Sequence, residues 1–357
     1  MRDCVLVTGG TGLVGAAVVE ALAGVPVMSL TRHGADGWTA GVRHGGRAAS
    51  GLLPAGRGHV VGSCASERVV HVRGDVTQPR LGLTDAAYDE LAASVGVVIH
   101  AAGLTDYTTP RAATEAANVA GTRHVARFAE RAGGPLYHVS TGYVRAQGSS
   151  VRGRFGAQVY LDAKRAAEEI AAECGTLAAI VRPSLVVGHS ADGSTPSFQG
   201  LHRLLGLALE EQLPLLPFGP ETRVDFLPRD LVGETIARLA RERFRGEFWL
   251  TAGGEALAFG RVLELLLGFA AERGRTLEPP RFVPREMIDR LLKPVGGPVL
   301  ARRADLLLAL TSHLTAEPLP SSLAPGEAGD LEATLLRGVG YWAEQTGWAA
   351  AESGVSA

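Results

Sequence analysis

Three glycines close to the start of the chain constrain its fold more than any other feature. Thr8-Gly9-Gly10-Thr11-Gly12-Leu13-Val14-Gly15 follows the apolar run Cys4–Val7 and opens a helical pattern, Leu13–Leu22. Gly9 permits a tight turn, Gly12 lets the backbone approach a pyrophosphate, and Gly15 allows the helix to lie close on a sheet. The first helical turn, with Thr11, Leu13 and Val14 beside those glycines, offers unpaired N–H groups and a positive dipole end to phosphate. Such glycines alone can also be a plain strand–turn–helix. Their place directly after an apolar strand makes them a candidate dinucleotide loop.

The chain then continues in the rhythm such a loop requires. Val25–Leu30, Arg68–Val72, Val95–His100, Leu136–Val139 and Ala178–Val181 read as further strands. They are apolar throughout rather than alternating, as in a parallel sheet covered on both faces. Helical patterns at Ala112–Ala132 and Tyr160–Cys174 supply crossovers. The expectation is an α/β fold, a doubly wound parallel Rossmann sheet over 1–188, followed by a smaller, mainly helical substrate region over 189–357. Within that second region, Asp225–Pro228 and Phe248–Thr251 read as strands around a helix at Leu231–Arg243, so that about 229–252 returns to the Rossmann domain. A Gly- and Arg-rich stretch, 34–66, reads as a long insertion between the second and third strands, or as a flap over the adenine end of a cofactor.

Candidate cofactor contacts fall at the strand ends. Thr31-Arg32-His33 closes the second strand, where a carboxylate would hold a ribose 2′-hydroxyl. The Arg32 fork suits a 2′-phosphate instead, which favours NADPH over NADH; the plain alternative is a solvated surface charge. Asp75 and Val76, after the third strand, are placed to meet an adenine amino group and cover its ring, unless Asp75 only closes a turn. The small residues Ala101, Ala102 and Gly103 let the chain pass beside a cofactor, and Asn118 is expected to brace backbone carbonyls.

Tyr160 and Lys164 are four apart in a helical pattern, and so share one face. A phenol has an ordinary pKa of about 10, and an ammonium about 4 Å away contributes up to about 4 kcal/mol toward the phenolate at surface-like dielectric. That pair can therefore donate a proton to a nascent alkoxide. The spacing alone is common by chance. It gains weight from Ser140-Thr141 at the carboxyl end of the fifth strand, where either hydroxyl, preferably Thr141, can donate to a substrate carbonyl oxygen.

TGGTGLVG, HAAG, VSTGYV, YLDAK and VRPSLVVG, in this order over roughly residues 3–255, resemble the extended short-chain dehydrogenase/reductases, the NAD-dependent epimerase/dehydratase superfamily. VSTGYV, the run from Tyr160 through Lys164 to Glu168, and Arg182–Gly188 resemble its thioester-reductase and fatty-acyl-reductase branch. The resemblance implies hydride transfer from NADPH to a carbonyl or acyl thioester, CoA- or carrier-bound. Thr141 would polarise the carbonyl, Tyr160 would donate the proton and Lys164 would tune it, with Pro183, Ser184 and Leu185 lining the nicotinamide. The chain departs from the branch in reading as a stand-alone protein without a carrier or adenylation domain, and in a C-terminal hundred residues that match nothing in it. A sugar-nucleotide epimerase or dehydratase, a hydroxysteroid-like ketone dehydrogenase and, outside catalysis, an NADP-sensing binding protein are the competing readings.

Composition narrows the partners. A net charge of −2 with 20% charged residues offers no general attraction for nucleic acid or anionic membrane. No signal-peptide pattern, no long uncharged apolar run and only three scattered cysteines, Cys4, Cys64 and Cys174, point to a cytoplasmic protein with free thiols and no metal site. Helices flanking the catalytic turn could pair as a four-helix interface in a homodimer.

Overall fold

The computed structural model describes residues 4–32, 69–145, 156–284 and 314–348, together with Met287, Leu307 and Thr311. The expected insertion at 34–66, and with it Cys64, lies outside the described residues, as does His33.

Seven strands form one wholly parallel sheet: β1 (Cys4–Thr8), β2 (Val27–Thr31), β3 (Val69–Arg73), β4 (Val95–His100), β5 (Leu136–Val139), β6 (Leu177–Pro183) and β11 (Gly246–Leu250). Their order, β11-β6-β5-β4-β1-β2-β3, reverses direction between β1 and β4. That switch point opens a crevice at the carboxyl ends of the strands, where α/β sheets bind ligands. The strands are buried because side chains alternate between two apolar layers. Leu6, Met28, Leu30 and Val98 face α2 (Asp85–Ser94) and α4 (Gly121–Ala132). Val5, Val7, Val27 and Ile99 face the layer built by α1 (Leu13–Ala21) and the C-terminal elements.

Helix α4 shows how the pattern becomes structure. Val125, Phe128, Ala129 and Ala132 are buried while Arg123, Arg127, Glu130 and Arg131 are exposed. It ends where Gly133 takes φ +68° and its N–H reaches the carbonyls of Ala129 and Glu130, a left-handed cap that glycine adopts without steric cost. The expected single helix over Ala112–Ala132 is three pieces: α3 (Arg111–Glu115), a π-helical turn at Ala116–Ala120, and α4. The wider turn carries Asn118.

Small two-stranded pairs sit beyond the main sheet. Between β6 and β11 the chain forms β7 (Leu185–Val187), α6 (Leu201–Leu209), β8 (Leu215–Leu216), β9 (Arg223–Val224), β10 (Phe226–Pro228) and α7 (Arg229–Arg241). β7 pairs with β10 in parallel, and β12 (Leu257–Ala258) with β9 in antiparallel. β8 pairs with β13 (Arg281–Phe282). Helix α7 packs on α1 so closely that a β-carbon at Gly233 would lie 2.5 Å from the Ala17 backbone. Helices α8 (Phe259–Ala271) and α9 (Leu331–Thr346), with α6, complete the C-terminal layer. Among the described residues no helix is long and apolar enough to cross a membrane.

Candidate active site

The loop after β1 is held by its own glycines. Gly9 has φ +74°, and a β-carbon there would stand 2.7 Å from the Ala102 backbone. A β-carbon on Gly15 would stand 2.0 Å from the Gly9 carbonyl oxygen, so the first turn of α1 rests directly on the loop. Helix α1 starts at Gly12 with no side-chain cap. The N–H groups of its first turn, around Leu13 and Val14, have no partner within the helix. They are the donors a diphosphate needs.

Gly9, Thr11, Gly12, Thr31, Arg32, Asp75, Val76, Ala101, Ala102 and Gly103 line one cavity of about 230 Å³ at the switch point. Leu13, Val14 and Gly15 lie just behind it in α1. Arg32 is exposed at the end of β2. Asp75 Oδ1 accepts from the Thr77 N–H at 2.9 Å and from the Thr77 hydroxyl at 2.8 Å, so this carboxylate does close a turn while also facing the cavity. Asn118 pairs with both backbone groups of Leu104, accepting from its N–H at 2.7 Å and donating to its carbonyl at 3.0 Å. A glycine-walled cradle, an uncapped helix start and an exposed arginine fit the adenosine diphosphate portion of a dinucleotide. Among the described residues no cluster suits a metal ion.

The second group of residues sits at the end of β5. Helix α5 (Ala157–Ala172) begins at Gly156, whose φ is +114° and whose N–H donates to the Tyr107 carbonyl at 2.8 Å. Tyr160 lies in the first turn of α5 and is buried with Thr141. Burial pushes the phenol up to about 12, against the opposing influence of the neighbouring Thr141 hydroxyl. Lys164, one turn along, donates to the Val139 carbonyl at 3.0 Å. Burial pulls its ammonium down to about 8, opposed by the negative charge of Glu168. Tyr160 therefore moves in the direction opposite to that expected from an adjacent ammonium, because desolvation dominates.

Gly103 joins the two groups. A β-carbon there would lie 2.9 Å from Asn118 Oδ1 and 3.6 Å from Lys164 Nζ, so the lysine adjoins a residue of the cavity wall without lining the cavity itself. Pro183 ends β6, Ser184 N–H donates to Leu250 O at 2.9 Å, and Leu185 packs on the Tyr160 cluster. None of these three lines the 230 Å³ cavity. A larger open groove, about 510 Å³, runs between α3 and α5 and includes Arg111, Glu115, Arg123 and Asp162. It holds none of the groups above.

Several supporting residues escaped the sequence reading. Glu168 takes both oxygens to Arg182, at 2.9 and 2.7 Å, and Arg182 also donates to Glu247 at 2.5 Å while stacking 4.6 Å from the Trp249 ring. Asp225 accepts from Ala252 N–H and Gly253 N–H, each at 2.8 Å, and its carbonyl accepts from the Tyr143 hydroxyl at 3.0 Å. Burial raises the Asp225 carboxyl, and the two backbone N–H groups oppose that rise. A carboxylate inside the apolar run Val224–Leu227 was the available signal, because a buried charge requires partners. His100 is held between the Thr8 and Thr122 hydroxyls at 2.7 and 3.1 Å, and burial drives it down to about 3. His138, 5.4 Å away between ring centres, is likewise far below its ordinary value through burial. Both imidazoles are neutral near neutral pH and add no positive charge beside Lys164.

Comparison with known proteins places the chain in a family and shows its fold. An NAD-binding family model described as male sterility protein matches residues 7–236. Glycine betaine reductase ATRR of Emericella nidulans is 32% identical over 193 residues, covering 49% of this chain and 15% of that protein. The non-canonical nonribosomal peptide synthetase cpsA of Aspergillus campestris is 25% identical over 264 residues, covering 67% of this chain and 24% of that protein. The chain thus spans less than a quarter of either relative's length. Among solved structures, the terminal R domain from the myxalamid PKS-NRPS biosynthetic pathway superposes with a TM-score of 0.68 at 21% identity, covering 97% of this chain and 91% of that one. MoeE5 in complex with UDP-glucose and NAD superposes with a TM-score of 0.57 at 17% identity, covering 96% and 99%. At these identities the structures share the fold.

Proposed function

Since the chain belongs to the male sterility protein family of NAD-binding domains, within the extended short-chain dehydrogenase/reductases of thioester-reductase-like type, we propose that it reduces a carbonyl or acyl-thioester substrate with NADPH. The observation that carries this reading is the buried, neighbouring Thr141–Tyr160 pair at the carboxyl edge of the sheet. Lys164 stands one helical turn along, beside Gly103 of the dinucleotide-shaped cavity's wall. A bound reduced nicotinamide dinucleotide supplies the hydride.

The residues divide the remaining work. Thr141 donates a hydrogen bond to the substrate carbonyl oxygen. With its phenol at about 12, Tyr160 is protonated across the physiological range and is a proton donor rather than a base in the reductive direction. The Lys164 ammonium favours the phenolate as the proton leaves, and Glu168 helps keep that ammonium charged. Pro183, Ser184 and Leu185 form the wall facing the nicotinamide. Arg32, with Thr31 and no carboxylate at the end of β2, favours a 2′-phosphate over a bare ribose hydroxyl. This favours NADPH, and weighs against an epimerase that retains NAD. The substrate is a small molecule, free or held as a CoA or carrier-protein thioester. The outer faces of α3, α4 and α5, with cations at Arg111 and Arg123 and anions at Glu115 and Asp162, are the surface on which a second copy would pair.

The test is a panel of acyl-CoAs, carrier-bound acyl groups, aldehydes and cyclic ketones, each mixed with NADPH while its absorbance is followed. Consumption with thioesters and aldehydes is the expected result. Consumption with ketones alone would exclude thioester reduction, and cofactor binding without any turnover would favour the sensing role.

A further inference from the structure

We propose that Leu319, on an extended strap over residues 314–323, is the apolar wall that sets which acyl or alkyl groups can approach the Thr141–Tyr160 pair. The assignment rests on the reading of that pair as a reductive site and adds a specificity-determining residue to it. The strap lies beyond residues 7–236, the part of the chain that the family model matches.

Three observations carry it. First, the strap is tied down at both ends. Arg223 N–H donates to Thr315 O at 2.9 Å, and Ser321 Oγ donates to Thr251 O at 2.7 Å. Ser322 N–H donates to Trp249 O at 2.8 Å, and Trp249 N–H donates to Ser322 Oγ at 2.8 Å. The strap thereby extends the edge of β11. Second, from Ala316 to Ser322 every residue is exposed except Leu319. Pro318 and Pro320 flank it; Pro318 fixes its own φ, and Pro320 holds Leu319 to extended backbone. The one side chain turned inward is therefore held in a fixed direction. Third, that direction is the site. Leu319 packs on the cluster of Tyr143, Tyr160 and Leu161, together with Tyr107 and Leu185. A β-carbon on Gly142, the residue after Thr141, would lie 3.5 Å from Leu319 Cδ1.

The cluster that Leu319 joins is aromatic and aliphatic, so the wall it builds favours an apolar substrate portion next to the carbonyl. Each methylene it buries raises affinity about fourfold until the chain meets a wall. The size of residue 319 sets where that gain stops.

Leu319→Ala, Leu319→Phe and the milder Leu319→Val are compared with the parent chain in two measurements. Binding of a homologous series of n-alkanamides, which present a carbonyl but accept no hydride under these conditions, is followed by tryptophan fluorescence. Turnover is followed with NADPH and n-aldehydes of the same lengths. In the parent, affinity climbs about fourfold per methylene and then breaks. The break moves to longer chains in Leu319→Ala and Leu319→Val and to shorter ones in Leu319→Phe, with the NADPH dissociation constant unchanged. A break at one chain length in all variants overturns the assignment, as does a parent with no chain-length dependence. A tenfold loss of NADPH binding in Leu319→Val also overturns it, because Leu319 would then be supporting the fold. Turnover with an unmoved break leaves the reductase reading standing without Leu319. A moved break with no turnover leaves Leu319 lining a binding pocket and removes the reductase reading.

Discussion

Lys164 is pulled down to about 8 and Tyr160 pushed up to about 12 for one reason: burial disfavours the charged form of each. A cation with a lowered pKa keeps its charge only below that value. Activity that depends on the Lys164 ammonium should therefore fall as pH rises through about 8. Glu168 works against the loss, and Arg182 fixes Glu168 with a two-point contact at 2.9 and 2.7 Å. Glu168→Gln should move the basic limb of the kcat/KM–pH profile to lower pH, and Lys164→Arg should move it upward. A limb that stays in place in Glu168→Gln would show that the carboxylate does not act on the lysine. The same buried pair has a structural side. Removing one member of a buried ion pair typically costs about 3–5 kcal/mol, so Arg182→Met should lower stability to urea far more than loss of the exposed Arg131–Asp89 pair.

Elements follow from sequence where burial is two-sided and local. β1, β2, β4 and β5 are apolar runs with little else they could form, and the expected bounds differ from the observed ones by a residue or two. The glycine loop was equally legible, because a turn of φ +74° at Gly9 and the contact of Gly15 with Gly9 have no substitute residue. Features made by distant partners were not legible. β8, β9, β12 and β13 have two residues each, too few for any periodicity, and exist only because a remote segment completes the pair. The π-helical turn at Ala116–Ala120 interrupts an amphipathic pattern that reads as one continuous helix. The strap that carries Leu319 lies in a region expected to be mainly helical, and its extended course is set by partners on β11. In the site, Thr141, Tyr160 and Lys164 carry a motif with Glu168 at its end, whereas Asp225 and the Arg182 and Glu247 partners of that network act through neighbours that sequence separation conceals. One element contact gives a sharp test. Gly233 lets α7 meet α1 at Ala17, and Gly233→Ala should cost about 1–3 kcal/mol by overpacking, seen as a lower denaturant midpoint. An unchanged midpoint would mean that the two helices can separate freely.

Across the whole molecule, the site is assembled from stretches far apart in the chain. The loop after β1 and the ends of β2, β3 and β4 form the dinucleotide-shaped cavity. The end of β5 and the first turns of α5 carry Thr141, Tyr160 and Lys164, the lysine adjoining Gly103 of the cavity wall. Segments after β6 and β11 close the substrate side. Cofactor choice is expected to reside at one edge of this assembly. Arg32→Glu should reverse the preference from NADPH toward NADH, read as the ratio of the two dissociation constants, and an unchanged ratio would release Arg32 from that role. The central claim is that the buried Thr141–Tyr160 pair performs proton donation at a substrate carbonyl. Its most direct test is Tyr160→Phe, which removes one oxygen and keeps the ring. The account predicts that kcat with NADPH and an acyl thioester or aldehyde falls about a hundred- to ten-thousandfold while NADPH binding is unchanged. Full turnover by Tyr160→Phe would contradict it.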